Sequence, residues 1–178
     1  MKPENQKTLV RRAQAGDADA FGELYAALRQ DLYRFAYYQL SSPHAAEDAV
    51  GDCVLLAFQK IRQLKKPQSV RSWFFSILLN CCREKQREKA LQTQLVDIED
   101  CCRLLPQESD LASHAALHTA LRQLPDKDRE LLLLSVLFGY SSNELAEMTG
   151  SKSGTVRSRL LRTKEALRAM LREGDDQA

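Results

Sequence analysis

"SSNELAEMTGSKSGTVRSRLLRTKEALRAML", residues 141–171, is read as two helices and the turn between them. Ser141, with Glu144 three residues on, forms a capping-box pattern, in which each side chain accepts from the other's backbone N–H. Gly150 suits the left-handed conformation that ends a helix. A second helix begins near Gly154. Two helices joined by a tight glycine turn make a helix-turn-helix. In it Ala146 permits close approach, Gly150 turns the corner and Val156 locks the second helix onto the first. On that second helix Val156, Leu160, Leu167 and Leu171 share one face. Thr155, Ser158, Arg159 and Arg162 share another, at i, i+3, i+4 and i+7. Arginine forks onto guanine edges, and hydroxyls and helix N-terminal amides suit phosphates. The plainer alternative is an amphipathic helix with merely solvated arginines. The turn chemistry ahead of the helix favours DNA.

Charge along the rest of the chain supports that reading. The 178 residues suit one or two small domains, and 44% hydrophobic content is enough for packed cores. Net charge is only +2, so what matters is its distribution. Residues 60–90 hold nine Lys or Arg against two Glu, and residues 151–172 hold seven against one. Between them Asp97, Glu99, Asp100, Glu108 and Asp110 face a single cation, Arg103, over residues 95–113. Two basic blocks parted by an acidic one suit two contacts with a polyanion and a segment that avoids it.

Apolar periodicity is helical throughout, so the expected fold is all-α. Phe21, Leu24, Tyr25, Leu28, Leu32, Phe35 and Ala36 form one stripe behind a cap at Asp19. "SSPHAAEDAV" breaks and restarts the helix, with Pro43 in a first turn. Ala46, Val50, Cys53, Val54, Ala57, Phe58, Ile61 and Leu64 form the next stripe, and "KKPQS" breaks the chain before a helix near Val70. "QTQLVDIEDCCRLLPQESD" has little periodicity and reads as a protease-sensitive linker. Helical pattern resumes at Leu117, Leu121 and Leu124, turns at Pro125 and runs to Gly139.

No apolar stretch follows Met1 and no run reaches the roughly 18 apolar residues of a membrane span. A cytoplasmic location is therefore expected. The five cysteines are an odd count, without CxxC or Cys/His ligand spacing, and read as reduced thiols. No metal and no cofactor is expected.

The helix in "VRSWFFSILLNCCREKQREKA" is apolar nearly all round, and Trp73 reads as core. One polar line crosses it: Ser72, Ser76, Asn80, Arg83 and Arg87. A mostly buried helix that keeps one amide-and-guanidinium stripe reads as a nucleic-acid face. The preceding "KKPQSV" suits a rim for an unstacked base, because positive grooves and stacking surfaces hold single strands.

These stretches together resemble a known family. "LYRFAYYQL…AEDAVGDCVLLAFQKI…VRSWFFSILLN" looks like region two of the extracytoplasmic-function (ECF) sigma factors of the sigma-70 family. "LRQLPDKDRELLLLSVLFGYSSNELAEMTGSKSGTVRSRLLRTKEAL" looks like their region four. The resemblance implies two small helical domains: a region two bundle over residues 1–92 and a region four helix-turn-helix over 114–178, joined by an acidic linker over 93–113. It implies a dissociable specificity subunit that directs core RNA polymerase to promoter DNA, with no catalysis of its own. By position, contact with the beta-prime clamp helices falls on Glu47, Asp48, Val50 and Asp52. Recognition of the minus-ten element falls on Lys65, Lys66, Ser69, Asn80, Arg83 and Arg87. Recognition of the minus-thirty-five element falls on Ser153, Thr155, Arg157, Ser158, Arg159 and Arg162, in a domain that also touches the beta flap. An anti-sigma factor is a further candidate partner.

The chain departs from the family pattern at Gly51–Asp52, where Gln then Glu is usual, and at Ser76 and Leu79, where Arg is frequent. A glycine inside a helix costs roughly 1 kcal/mol against alanine, which predicts a weaker or bent clamp helix. Two other classes compete. A stand-alone helix-turn-helix regulator would bind duplex DNA without polymerase, but has no use for the apolar helix with its Asn80 stripe. A thiol enzyme or redox sensor would use Cys81–Cys82 or Cys101–Cys102, yet no histidine adjoins either pair in sequence; His114 and His118 follow the second at a distance.

Overall fold

The computed structural model describes residues 3–92 and 111–175, and among them all regular structure is helical. The chain forms two compact units. The first holds α1 (Pro3–Gln14), α2 (Ala18–Leu40), α3 (Pro43–Lys60), two short 3-10 turns (Ile61–Gln63 and Pro67–Ser69) and α4 (Val70–Gln92). The second holds α5 (Leu111–Gln123), α6 (Asp126–Phe138), α7 (Ser142–Thr149) and α8 (Ser153–Asp175). Residues 93–110 of the expected linker, with Cys101 and Cys102, lie outside the described residues; α5 already begins at Leu111.

In the first unit α2, α3 and α4 pack on one another around Leu24, Leu32, Phe35, Phe74, Phe75, Leu78 and Leu79, all fully buried. Burying each such side chain contributes about 1.5–3 kcal/mol. Phe35 and Phe75 meet edge to face, with centroids 5.8 Å apart. Sequence periodicity gives no helix ahead of α2, but α1 forms there and packs on it, with Leu9, Val10 and Ala13 buried. The cap of α2 is Asp17, two residues before the expected Asp19. Its carboxylate accepts from the Ala20 N–H at 3.0 Å and from Arg12 Nε at 2.8 Å. These bonds, the Ala20 N–H first, hold the Asp17 carboxyl below its ordinary range.

The corner between α2 and α3 turns at Ser41, whose φ of 53° is left-handed and whose N–H donates to the Tyr37 carbonyl at 2.8 Å. Ser42 then caps α3, accepting from the Ala45 N–H, and Pro43 stands in its first turn. The helix runs unbroken through Gly51 to Lys60.

In the second unit α5, α6 and α7 all pack on α8. Leu121, Leu124, Leu131, Leu134, Leu145, Val156 and Leu160 are buried there. Arg129 is buried in α6, donates to the carbonyls of Leu121 and Arg122 at the end of α5, and pairs with Asp126. It thereby satisfies orphan carbonyls of the preceding helix and fixes the corner. The capping box at Ser141 and Glu144 is complete, and Gly150 ends α7 at φ 67° as the sequence predicts.

Candidate nucleic-acid and polymerase interfaces

Val156 and Leu160 anchor α8 inward, which turns Thr155, Arg157, Ser158 and Arg162 out to solvent. Ser158 donates its hydroxyl to the Thr155 carbonyl at 3.1 Å, and Arg162 Nε donates to the Ser158 carbonyl at 3.3 Å. Both side chains are thus laid along the helix. Ser153, at the helix start, is half-buried and donates to Asn143 Oδ1 at 2.6 Å, so its hydroxyl staples α7 to α8. Arg159 is held from below: its Nε stands 3.2 Å from Asp128 Oδ1 on α6. Sequence reading missed Asp128, because a partner 31 positions away leaves no local signal.

In the first unit Lys65 and Lys66 are exposed between the two 3-10 turns, and Ser69 is half-buried at the end of the second. The Ser72 hydroxyl donates to the Ser69 carbonyl at 3.0 Å and Ser76 to Ser72 at 2.9 Å, which ties the loop to the start of α4. Further along α4, Asn80 and Arg87 are exposed and Arg83 is half-buried, with Arg83 Nη1 donating to Asn80 Oδ1 at 3.5 Å. The stripe expected on α4 is therefore present as one face. Trp73, read as core, is only half-buried, edge-on to Phe74 with centroids 5.5 Å apart.

The outward side of α3 carries Glu47, Asp48 and Asp52, all exposed. Val50 is a correction: at 6% exposure it belongs to the core and cannot meet a partner. It lies on the stripe of Ala46, Cys53 and Ala57, opposite the acids. Phe58 corrects in the other direction, being 52% exposed although it packs edge to face on Phe21 with ring centroids 5.1 Å apart. Leu55, at 64% exposure, stands one turn from Asp52 and two from Asp48. Its place off the buried stripe was the signal that could have found it. Asp52 pairs across to Lys85 of α4 at 3.3 Å.

Cys53 and Cys81 are not poised for chemistry. Cys53, Cys81 and Cys82 are all buried. Burial first, and then the neighbouring Cys81, pushes the Cys53 thiol far up. Burial, then Asp52 and Glu84, pushes Cys81 up to about 11. Neither supplies a thiolate near neutral pH.

Residues 24–91 match the family model for sigma-70 region 2, and residues 114–167 match that for sigma-70, region 4. The chain belongs to the sigma-70 family. More narrowly, it is an ECF RNA polymerase sigma factor, and it acts in transcription initiation. It is 30% identical over 158 residues to ECF RNA polymerase sigma factor SigM of Mycobacterium tuberculosis, an alignment covering 88% of this chain and 80% of that one. It is 28% identical over 147 residues to RNA polymerase sigma factor SigV of Bacillus subtilis, covering 83% and 88%. Among solved structures it resembles the sigma factor RpoE of Bartonella quintana, determined with the anti-sigma factor NepR. The TM-score is 0.76, with 26% identity over 85% of this chain and 96% of that one. A stand-alone duplex-binding regulator leaves the region two match of this sigma factor without a use. Among the described residues no helix is long and apolar enough to cross a membrane.

Proposed function

We propose that the three faces serve three contacts of one initiation factor. Residues 114–178 read the minus-thirty-five element in duplex DNA through Thr155, Arg157, Ser158, Arg159 and Arg162, with Ser153 setting the angle of the helix. Residues 1–92 hold the melted minus-ten element on Lys65, Lys66, Ser69, Asn80, Arg83 and Arg87. Glu47, Asp48 and Asp52 dock on the beta-prime clamp helices, joined by Leu55 and Phe58 in place of Val50. The second unit also meets the beta flap, and the residues ahead of α5, 93–110, form the acidic tether.

The outward face of α3 carries this reading. Leu55 is 64% exposed one turn beyond Asp52 on the same side as Asp48, a combination that suits a basic protein partner with an apolar pocket and repels DNA. Polymerase is met in the cytoplasm, so that is the proposed compartment. The Bartonella relative is solved with an anti-sigma factor, and a partner of that kind is proposed here too. Copurification with core polymerase, followed by run-off transcription over a genomic library, tests the proposal. Promoter-specific transcripts are expected; a chain that binds duplex DNA but neither core polymerase nor single strands would overturn it.

A further inference from the structure

Residues 3–14 precede the region two match, which starts at residue 24, and α1 is too far along the chain from the DNA-facing loop to suggest a link. In the fold it grips that loop. Gln14 Nε2 donates to the carbonyls of Ile61 at 3.1 Å and Leu64 at 2.8 Å. Two helical turns earlier, Gln6 Nε2 donates to the carbonyls of Pro67 at 3.4 Å and Gln68 at 3.3 Å. All four acceptors are backbone carbonyls, so each amide presents its nitrogen, the only atom of the group with protons to give. The acceptors flank Lys65 and Lys66 on both sides. Val10, between the glutamines on α1, is fully buried, so the helix that supplies the donors is itself anchored.

We propose that α1 braces the minus-ten loop, and that Gln14, seconded by Gln6, is a positioning residue for base selectivity there. This rests on the proposed role of Lys65, Lys66 and Ser69. The two 3-10 turns hold the loop by only a few backbone bonds of their own, so it would still lose backbone entropy on closing over a base, and donors that fix its carbonyls beforehand reduce that loss. A fixed loop also holds its shape against a wrong base, whereas a slack one adapts to it.

The test uses holoenzyme assembled from the full chain. The probe is the non-template minus-ten strand of a promoter it transcribes, together with the same oligonucleotide changed one base at a time. Gln14→Met keeps the length of the side chain and removes both N–H groups. Preference for the cognate strand is expected to fall about fivefold, the net weight of roughly one hydrogen bond. Affinity for core polymerase and for minus-thirty-five duplex should stay unchanged. Gln6→Met, losing longer bonds, should show a smaller fall, and it carries the test if Gln14→Met does not fold. Unchanged preference, or equal weakening on every oligonucleotide, overturns the brace. A Lys65→Ala/Lys66→Ala variant that binds all the strands normally overturns the underlying reading of the loop instead.

Discussion

Arg159 Nε lies 3.2 Å from Asp128 Oδ1, so the arginine at the centre of the proposed DNA-reading side of α8 is steadied by the first turn of α6. Both side chains are partly exposed, at 39% and 23%. The pair is therefore worth roughly 0.2–1 kcal/mol to folding, and its greater effect is to limit where the guanidinium points.

Arg159→Ala should weaken binding to the upstream element by roughly 1–3 kcal/mol and relax selectivity at one base pair. Asp128→Ala should lower stability by no more than about 1 kcal/mol. Binding to a panel of duplex variants separates the outcomes. Equal loss on every sequence marks Arg159 as a phosphate contact.

Asp48→Arg should weaken association with core polymerase while lowering the melting temperature of the free protein only slightly, since Asp48 is exposed and contributes only a secondary charge interaction with Lys85. Leu55→Ser should do the same, with stability moving by only about 0.5 kcal/mol. Asp52→Arg is expected to weaken binding too, but it also sets a like charge against Lys85. Titration of labelled variants into core polymerase checks all three.

Gly51 is exposed in a continuous helix, and a methyl group there would meet nothing within 4 Å. Gly51→Ala should stabilise the first unit by about 0.5–1 kcal/mol, read as a higher urea midpoint. No gain would mean that α3 needs its glycine to adopt its path.

Local chemistry was legible where it was self-contained. Ser141, Glu144 and Gly150 are close neighbours whose bonds the sequence writes out, and they placed α7 and α8. Periodicity alone groups residues by face without saying which neighbour covers that face. Hence periodicity places Phe58 inward, and it is the family resemblance, not periodicity, that carries Val50 to a partner although it lies on the buried stripe. Among the described residues of α1, Leu9, Val10 and Ala13 form its buried stripe, too short to tell from a polar lead-in by sequence alone. Asp128 with Arg159, and Gln14 with Leu64, are pairs created by the tertiary fold.

The Glu144 carboxyl is held below its ordinary value of 4.5, first by the Ser141 hydroxyl and then by the Ser141 N–H. A depressed carboxyl contributes stability that is present above its unfolded value and lost as pH falls through the folded one. The melting advantage of the native protein over Glu144→Gln should therefore be full at neutral pH and shrink in acid below the ordinary value. Ser141→Ala should cost roughly 0.5–2 kcal/mol at neutral pH. Thermal melts of the second unit across that range provide the check.

Ser41 turns the α2–α3 corner at a φ of 53°, where glycine is the usual choice. The left-handed conformation costs a side-chain-bearing residue about 1–2 kcal/mol. Glycine would avoid that strain but widen the unfolded ensemble, returning roughly 0.4–1 kcal/mol of the difference as chain entropy. The two choices thus lie close in free energy and differ in what they permit. With serine the chain has few other ways to round the corner. The angle at which α3 leaves the corner and crosses α2 is then set by a backbone that resists alternative paths, and less of the proposed docking geometry must be restored when a partner arrives.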